Sequence, residues 1–250
     1  MIRPVATALG FCCWSALAIA EQPSCEIPGY LLESQFDLKR VNASVAQQRQ
    51  LTIAVLGTGS SNLAGPEGPR SAYPARLETA LKKRLPSVSV KVITLVRSRQ
   101  TAEELAAGLP KLLVDEKPDL LIWQCGTVDA MRHIDVDEFR DALDKGLETL
   151  HKNGVDAILM NMQYSPRTET MIEVGPYADT MRVVAQQHEV PLFDRLSIMR
   201  HWSDTGEFDL YATGRDNVLA FQVHDCLGRG LAAMIMDAAH LSDAGQRPAQ

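Results

Sequence analysis

Leu51-Thr-Ile-Ala-Val-Leu-Gly57-Thr-Gly-Ser-Ser-Asn-Leu-Ala-Gly65 is the stretch that decides the fold. A short apolar run enters a glycine-serine turn, and a helical pattern follows from about Ala72. Such a run reads as a buried strand whose carboxyl end carries two hydroxyls to the edge where open α/β sheets place their ligands. Ser60 and Ser61 become candidate nucleophiles there, provided that a base can reach one of them. Late in the chain, Gln222-Val-His-Asp225 offers His224 as that base, just ahead of a terminal helical run.

Outward from this strand the pattern repeats. Apolar runs at Leu51 to Leu56, Val88 to Val96, Asp119 to Gln124, Val155 to Asn161 and Val190 to Phe193 predict five strands. Amphipathic stretches predict helices at Ala72 to Arg84, Thr101 to Val114, Val136 to Lys152, Tyr177 to Gln187 and Val218 to Ala239. Strands alternating with long helices mean βαβ units, so the expected fold is α/β, a three-layer flavodoxin-like domain. Right-handed crossovers then predict a mainly parallel sheet of order 2-1-3-4-5 with helices on both faces. Lys117-Pro-Asp119 and Lys152-Asn-Gly-Val155 place turn residues directly before two of these strands.

With 250 residues, 46% of them hydrophobic, the chain can bury one large core. A net charge of −6 and the lack of any Lys/Arg block speak against nucleic acid as a partner. Arg3, the apolar Val5 to Ile19 and the small residues at Ala18-Ile-Ala20 read as a signal peptide over 1–20, with a retained anchor as the rival. The division expected is 1–20 signal, 21–50 N-terminal extension, 51–241 catalytic-type domain and 242–250 flexible tail. A secreted or periplasmic protein with no membrane span after cleavage follows from that reading. An oxidising compartment makes a Cys25–Cys226 disulfide the expected pairing, with three free thiols as the alternative. Cys125 lies in an apolar strand and reads as an ordinary buried residue. The six histidines show no paired spacing, so neither metal nor cofactor is expected.

The motifs in order resemble the SGNH (GDSL-type) hydrolase family. Gly59-Ser-Ser61-Asn-Leu-Ala-Gly65 is similar to its first block, Gly-Asp-Ser-Leu-Thr-x-Gly; matching the glycines places Ser61 in the nucleophile slot and Ser60 in the place of the aspartate. One inserted residue fewer would make Ser60 the nucleophile instead. Ser98-Arg-Gln-Thr101 falls where the second block reads Ser-Gly-Asp-Thr, and Gly126-Thr-Val-Asp129 where the third reads Gly-x-Asn-Asp. His224 falls where the last block reads Asp-x-x-His. The resemblance spans Leu51 to about Ala239 and implies an ester hydrolase without cofactor, acting on a small-molecule or carbohydrate ester. Gly59-Ser-Ser-Asn62 also resembles the Gly-Gln-Ser-Asn turn of some carbohydrate acetylesterases, which favours an O-acetyl group.

The departures define the open questions. Arg99 replaces the second-block glycine but keeps the backbone N–H that the family offers to an oxyanion. Val128 replaces the third-block asparagine, and losing one oxyanion donor typically costs about 2.7–4 kcal/mol of barrier; Gln124, Thr127 and Asn161 are the candidate substitutes. Phe221 replaces the last-block aspartate that orients the histidine. Asp225, Asp216 and Asp209 are the candidate acid partners, with a Ser–His dyad as another route. Met199-Arg-His-Trp202 is either the wall of a sugar site, with Trp202 as its platform, or the end of an amphipathic helix. A catalytically relaxed protein on the same fold, binding carbohydrate or a small ligand, is the alternative function.

Overall fold

The structure, a computed structural model, describes residues 24–212 and 217–242. The expected signal peptide, the tail beyond Ser242 and Asp216 therefore lie outside the described residues. Five strands form one parallel sheet in the order β2-β1-β3-β4-β5: β1 Gln50–Gly57, β2 Ser89–Val96, β3 Leu120–Gln124, β4 Asp156–Met160 and β5 Leu192–Phe193. The expected fold class and strand order are those found. Ile53 pairs with Val92 on one side and Leu120 on the other, so β1 is flanked along its apolar run. Burial on both faces explains why β1 and β3 read as continuous apolar runs, whereas edge strand β2 is half exposed.

Helices of six residues or more are α1 Tyr73–Arg84, α2 Ala102–Ala107, α3 Leu109–Glu116, α4 Val136–Lys152, α5 Pro166–Met171, α6 Gly175–Gln187, α7 Arg195–Asp204 and α8 Val218–Ala238. The β1–α1–β2 crossover runs one way across the sheet and all later crossovers run the other, so right-handedness assigns α1 to one face and α2–α6 to the opposite one. The contacts agree: α8 returns to pack on α1, while α4 packs against α2 and α6. Gly228 on α8 permits that return, because a Cβ there would lie 2.7 Å from the Leu77 backbone nitrogen.

Element boundaries depart most from expectation in two places. The single helix predicted over Thr101 to Val114 is two, α2 and α3, parted at Gly108, where Pro110 supplies no N–H and glycine lowers helix propensity. Thr101 closes the start of α2 with a reciprocal capping box to Glu104. Strand β5 keeps only two residues, and α7 starts directly behind it, capped by Asp194. Trp202 sits on α7 fully buried, its Nε1 donating to the Glu26 carbonyl at 2.8 Å and its ring edge-on to Phe208. It is a core residue and not a sugar platform.

Residues ahead of β1 pack across the opposite, amino-terminal edge of the sheet. Leu38, Val41 and Val45 enter the core, and Asp119 gathers Arg40, Ser44 and the Thr52 amide. Cys25 is bonded to Cys226 of α8 across 201 residues of chain, and Cys125 is a buried free thiol. No helix among the described residues is long and apolar enough to cross a membrane.

Candidate active site

The site forms where β1 and β3 end side by side. After Gly57 the chain folds back in a single 3-10 turn, Gly59–Ser61, closed by Ser61 N–H on the Thr58 carbonyl at 2.9 Å. Gly57 is required for that reversal: a Cβ there would lie 2.1 Å from Ser61 Oγ and 3.1 Å from Gln124 Oε1. Gly57→Ala must therefore displace the whole turn. Overpacking of this kind typically costs about 1–3 kcal/mol. A lowered melting temperature together with lost ligand binding is the expected outcome, whereas wild-type melting and binding would show that the turn yields freely.

Gln124, at the end of β3, is the hub of the turn. Its Oε1 accepts from Thr58 N and Oγ1 and from Ser61 Oγ, each at 3.0 Å, and from Ser60 Oγ at 3.3 Å. Because Thr58 N–H can only donate, that bond fixes which end of the amide faces the turn. Gln124 Nε2 and Thr127 Oγ1 are left as buried polar atoms without partners. Nearby Asp129 ties two loops together by accepting from the Ala102 and Gly126 amides, and burial raises its pKa.

The two serines differ in environment. Ser61 is fully buried, its Oγ 2.8 Å from the Tyr73 hydroxyl as well as bonded to Gln124. Ser60 is partly exposed, and its Oγ accepts from Arg195 Nη1 at 3.2 Å. Gly59, the first residue of the turn, is exposed, and a Cβ there would meet only Ser98 Oγ at 3.9 Å. The position with the most open space thus carries no side chain.

Arg195 is the residue that the sequence reading missed. It opens α7 at the carboxyl end of β5, fully buried. Nη1 also reaches the Ser60 carbonyl at 3.4 Å, Nη2 donates to Gln163 Oε1 at 3.2 Å, and the guanidinium lies 5.6 Å from the centre of the Tyr73 ring. Its Nε has no partner, and no carboxylate among the described residues pairs with it. Burial pulls its pKa down to about 10, so it remains a cation at neutral pH. The available signal was positional: a charged residue directly after an apolar strand lies on the ligand-binding edge of an α/β sheet.

His224 lies on α8, buried beside Tyr73, with ring centres 5.8 Å apart. The Tyr73 amide donates to His224 Nδ1 at 3.0 Å. A ring nitrogen that accepts carries no proton, so the neutral imidazole holds its proton on Nε2. With Nδ1 engaged by the amide, no carboxylate among the described residues partners it. Asp225 pairs with Arg229 at 3.1 Å and with Arg76 at 3.9 Å, and Asp209 accepts from the Tyr211 amide. No hydrogen bond joins His224 to Ser60 or Ser61 among the described residues.

The expected oxyanion donors also separate. Asn161 turns toward α7, donating to Asp194 at 2.7 Å and accepting from Leu196 N–H at 2.9 Å, so its side chain is engaged away from the serine turn. Arg99 is exposed with φ +65°, and its N–H bonds to nothing among the described residues, on a loop that Ser98 brings beside Gly59. Gln124 reaches the turn as an acceptor. No cluster of metal-ligating side chains is present among the described residues.

Burial, helped by the charge of Arg195, pushes the His224 pKa from 6.5 down to about 3. The unfolded chain therefore binds the additional proton between those values. Stability is full above about pH 6.5 and is lost as pH falls through the window toward 3. At pH 5 the loss should be about 2 kcal/mol from this group. Urea melts at pH 7.5 and 5 check this, and His224→Gln should flatten the difference; an unchanged slope in that variant would show that the proton is taken up elsewhere.

A parallel sheet in this order, with a serine turn at the carboxyl end of β1, defines the fold of the SGNH (GDSL-type) hydrolases. The chain belongs to the non-GDSL lipase-like family, whose model matches residues 24–241. A search of curated proteins finds no sequence match. Among solved structures, the chain is similar to a two-domain esterase active on acetylated mannans, with TM-score 0.66 and 15% identity over 87% of this chain and 58% of that one. An acetylxylan esterase of Geobacillus stearothermophilus gives TM-score 0.58 and 17% identity over 77% and 95%. TesA gives 0.55 and 20% over 73% and 99%. At these identities the likeness is one of fold.

Proposed function

We propose that the protein is an SGNH-type ester hydrolase, acting on a small-molecule or carbohydrate ester, with Ser60 as the attacking hydroxyl. The observation that carries this reading is the partly exposed Ser60 Oγ, 3.2 Å from a buried guanidinium that lacks a carboxylate partner among the described residues. A cation so placed stabilises negative charge developing on the serine oxygen or on an acyl oxygen beside it. In this reading Ser60 Oγ bonds to the acyl carbon, His224 takes the serine proton and returns it to the departing alcohol, and water then hydrolyses the acyl-serine. The Arg99 N–H is the further oxyanion donor proposed.

His224 accepts a proton at Nε2 only by moving its own proton to Nδ1 and releasing the Tyr73 amide. Leaving that buried donor unpaired costs about 1–3 kcal/mol, so turnover should be slow beside that of a formed triad. The same observation favours a second reading, a protein that binds its ester or carboxylate ligand without cleaving it, with His224 Nε2–H and Arg195 both acting as donors. The vacant exposed position at Gly59 fits this as well. A signal-like N-terminus and the Cys25–Cys226 disulfide support a secreted or periplasmic setting.

A fluorophosphonate probe and a panel of acetylated sugars and simple acetyl esters test the readings together. Labelling at Ser60 with acetate release supports hydrolysis. Saturable binding with neither labelling nor acetate release supports the binding reading, and labelling at Ser61 overturns the assignment of the serine.

A further inference from the structure

Beyond the serine turn lies an open cleft of about 760 Å³, walled by Tyr164, Arg167, Glu169, Thr170 and Tyr211. Its size is within the range of sites that hold small molecules, about 300–1,000 Å³. Two connections join it to the site. Gln163, which accepts from Arg195, is the chain neighbour of Tyr164. Helix α7 begins with Arg195 and five residues later carries Arg200, whose guanidinium lies 5.4 Å from the centre of the Tyr164 ring.

The lining has a distinct chemistry. Tyr211 is 71% exposed, an aromatic face on which a sugar ring can stack. Glu169 is already paired with Arg200, so its charge is locally neutralised. Arg167 is exposed and has neither an ion pair nor a side-chain hydrogen bond among the described residues. Among the described lining residues Arg167 is the one charge without a partner, while the Asp204 carboxylate acts on Tyr164 from behind the wall, and Arg195 adds a buried cation beyond Gln163. A guanidinium recognises a carboxylate by paired, charge-assisted hydrogen bonds.

We propose that this cleft is a subsite for an acidic saccharide, with Tyr211 stacking on a sugar ring and Arg167 holding its carboxylate. The proposal deepens the proposed ester-binding role of the neighbouring centre by naming its substrate class, a carboxylate-bearing glycan. It requires no turnover.

Calorimetric titration of the full chain with trigalacturonate, and with mannotriose as a neutral control, tests it. Trigalacturonate should bind with an affinity that salt weakens, and mannotriose should bind at least about tenfold more weakly. Arg167→Ala should reduce trigalacturonate affinity about tenfold, which is 1.4 kcal/mol. Tyr211→Ala should reduce it as well. Both cleft side chains are exposed, so neither variant threatens the fold. Equal binding of the two sugars, indifference to Arg167→Ala, or no binding of trigalacturonate would each overturn the proposal. Because binding is read apart from acetate release, failure here stays distinguishable from failure of the hydrolase reading.

Discussion

Ser60→Ala is expected to lower acetyl-ester turnover by at least about 10³-fold, while Ser61→Ala retains most of it. Matching the motif glycines back from Gly65 favours Ser61, and that count predicts the opposite pair of outcomes. Burial moves the proposal. Ser61 Oγ is enclosed between Tyr73 and Gln124, where an acyl carbon cannot approach without opening the turn. Ser60 is the serine with both solvent and a cation beside it. The cost of Ser61→Ala should instead appear in folding, because the Tyr73 hydroxyl loses its acceptor in a buried place. Such an orphaned group costs about 1–3 kcal/mol. Initial rates and thermal melts on both variants separate the two roles. If Ser61→Ala is inactive yet melts like wild type, Ser61 regains the nucleophile's part; if both variants turn over normally, no serine of this turn is the nucleophile.

Breaking the Cys25–Cys226 bond is expected to produce the largest loss of stability. The bond closes a loop of 201 residues, and the chain-entropy model assigns about 5 kcal/mol to a loop of that length. Cys226 lies two positions after His224 on α8, so the link also anchors the helix that carries the imidazole to the segment around Cys25. Cys226→Ala and reductant should each lower the denaturant midpoint to the same extent, and reductant should have no further effect on the variant. Thiol counting on denatured, unreduced protein without residues 1–20 should find Cys125 alone. Three reactive thiols, or a midpoint insensitive to reductant, would show that the pair is not bonded in solution.

How far the sequence alone reaches can be seen element by element. The strand at Leu51 was legible because a strand buried on both faces must be apolar throughout, and the turn behind it because glycine and serine mark a chain reversal. Val136–Lys152 is amphipathic along its whole length, and its expected bounds are those found. The split at Gly108 was present in the sequence as Gly-Leu-Pro, but periodicity continues across it and hides the break. Of α7 only Met199-Arg-His-Trp202 was legible, as the wall of a sugar site or the end of an amphipathic helix, because a two-residue β5 leaves almost no strand pattern to set the start of the helix.

The site divides along the same line. The sequence by itself determined the sheet, the strand order and the edge at which Ser60, Ser61 and His224 gather, since alternating hydrophobicity and right-handed crossovers are properties of local pattern and chain direction. Only the tertiary structure decided which serine is covered, that Asn161 is engaged by Asp194 and Leu196, and that Arg195 stands unpaired beside Ser60. It also decided that the Tyr73 amide, 151 residues away in the chain, occupies the nitrogen of His224 that a carboxylate would need. The physical reason is that a polar group's role depends on its partner. These partners meet only when distant segments pack at the sheet edge, where burial makes each hydrogen bond decisive and no local periodicity records it.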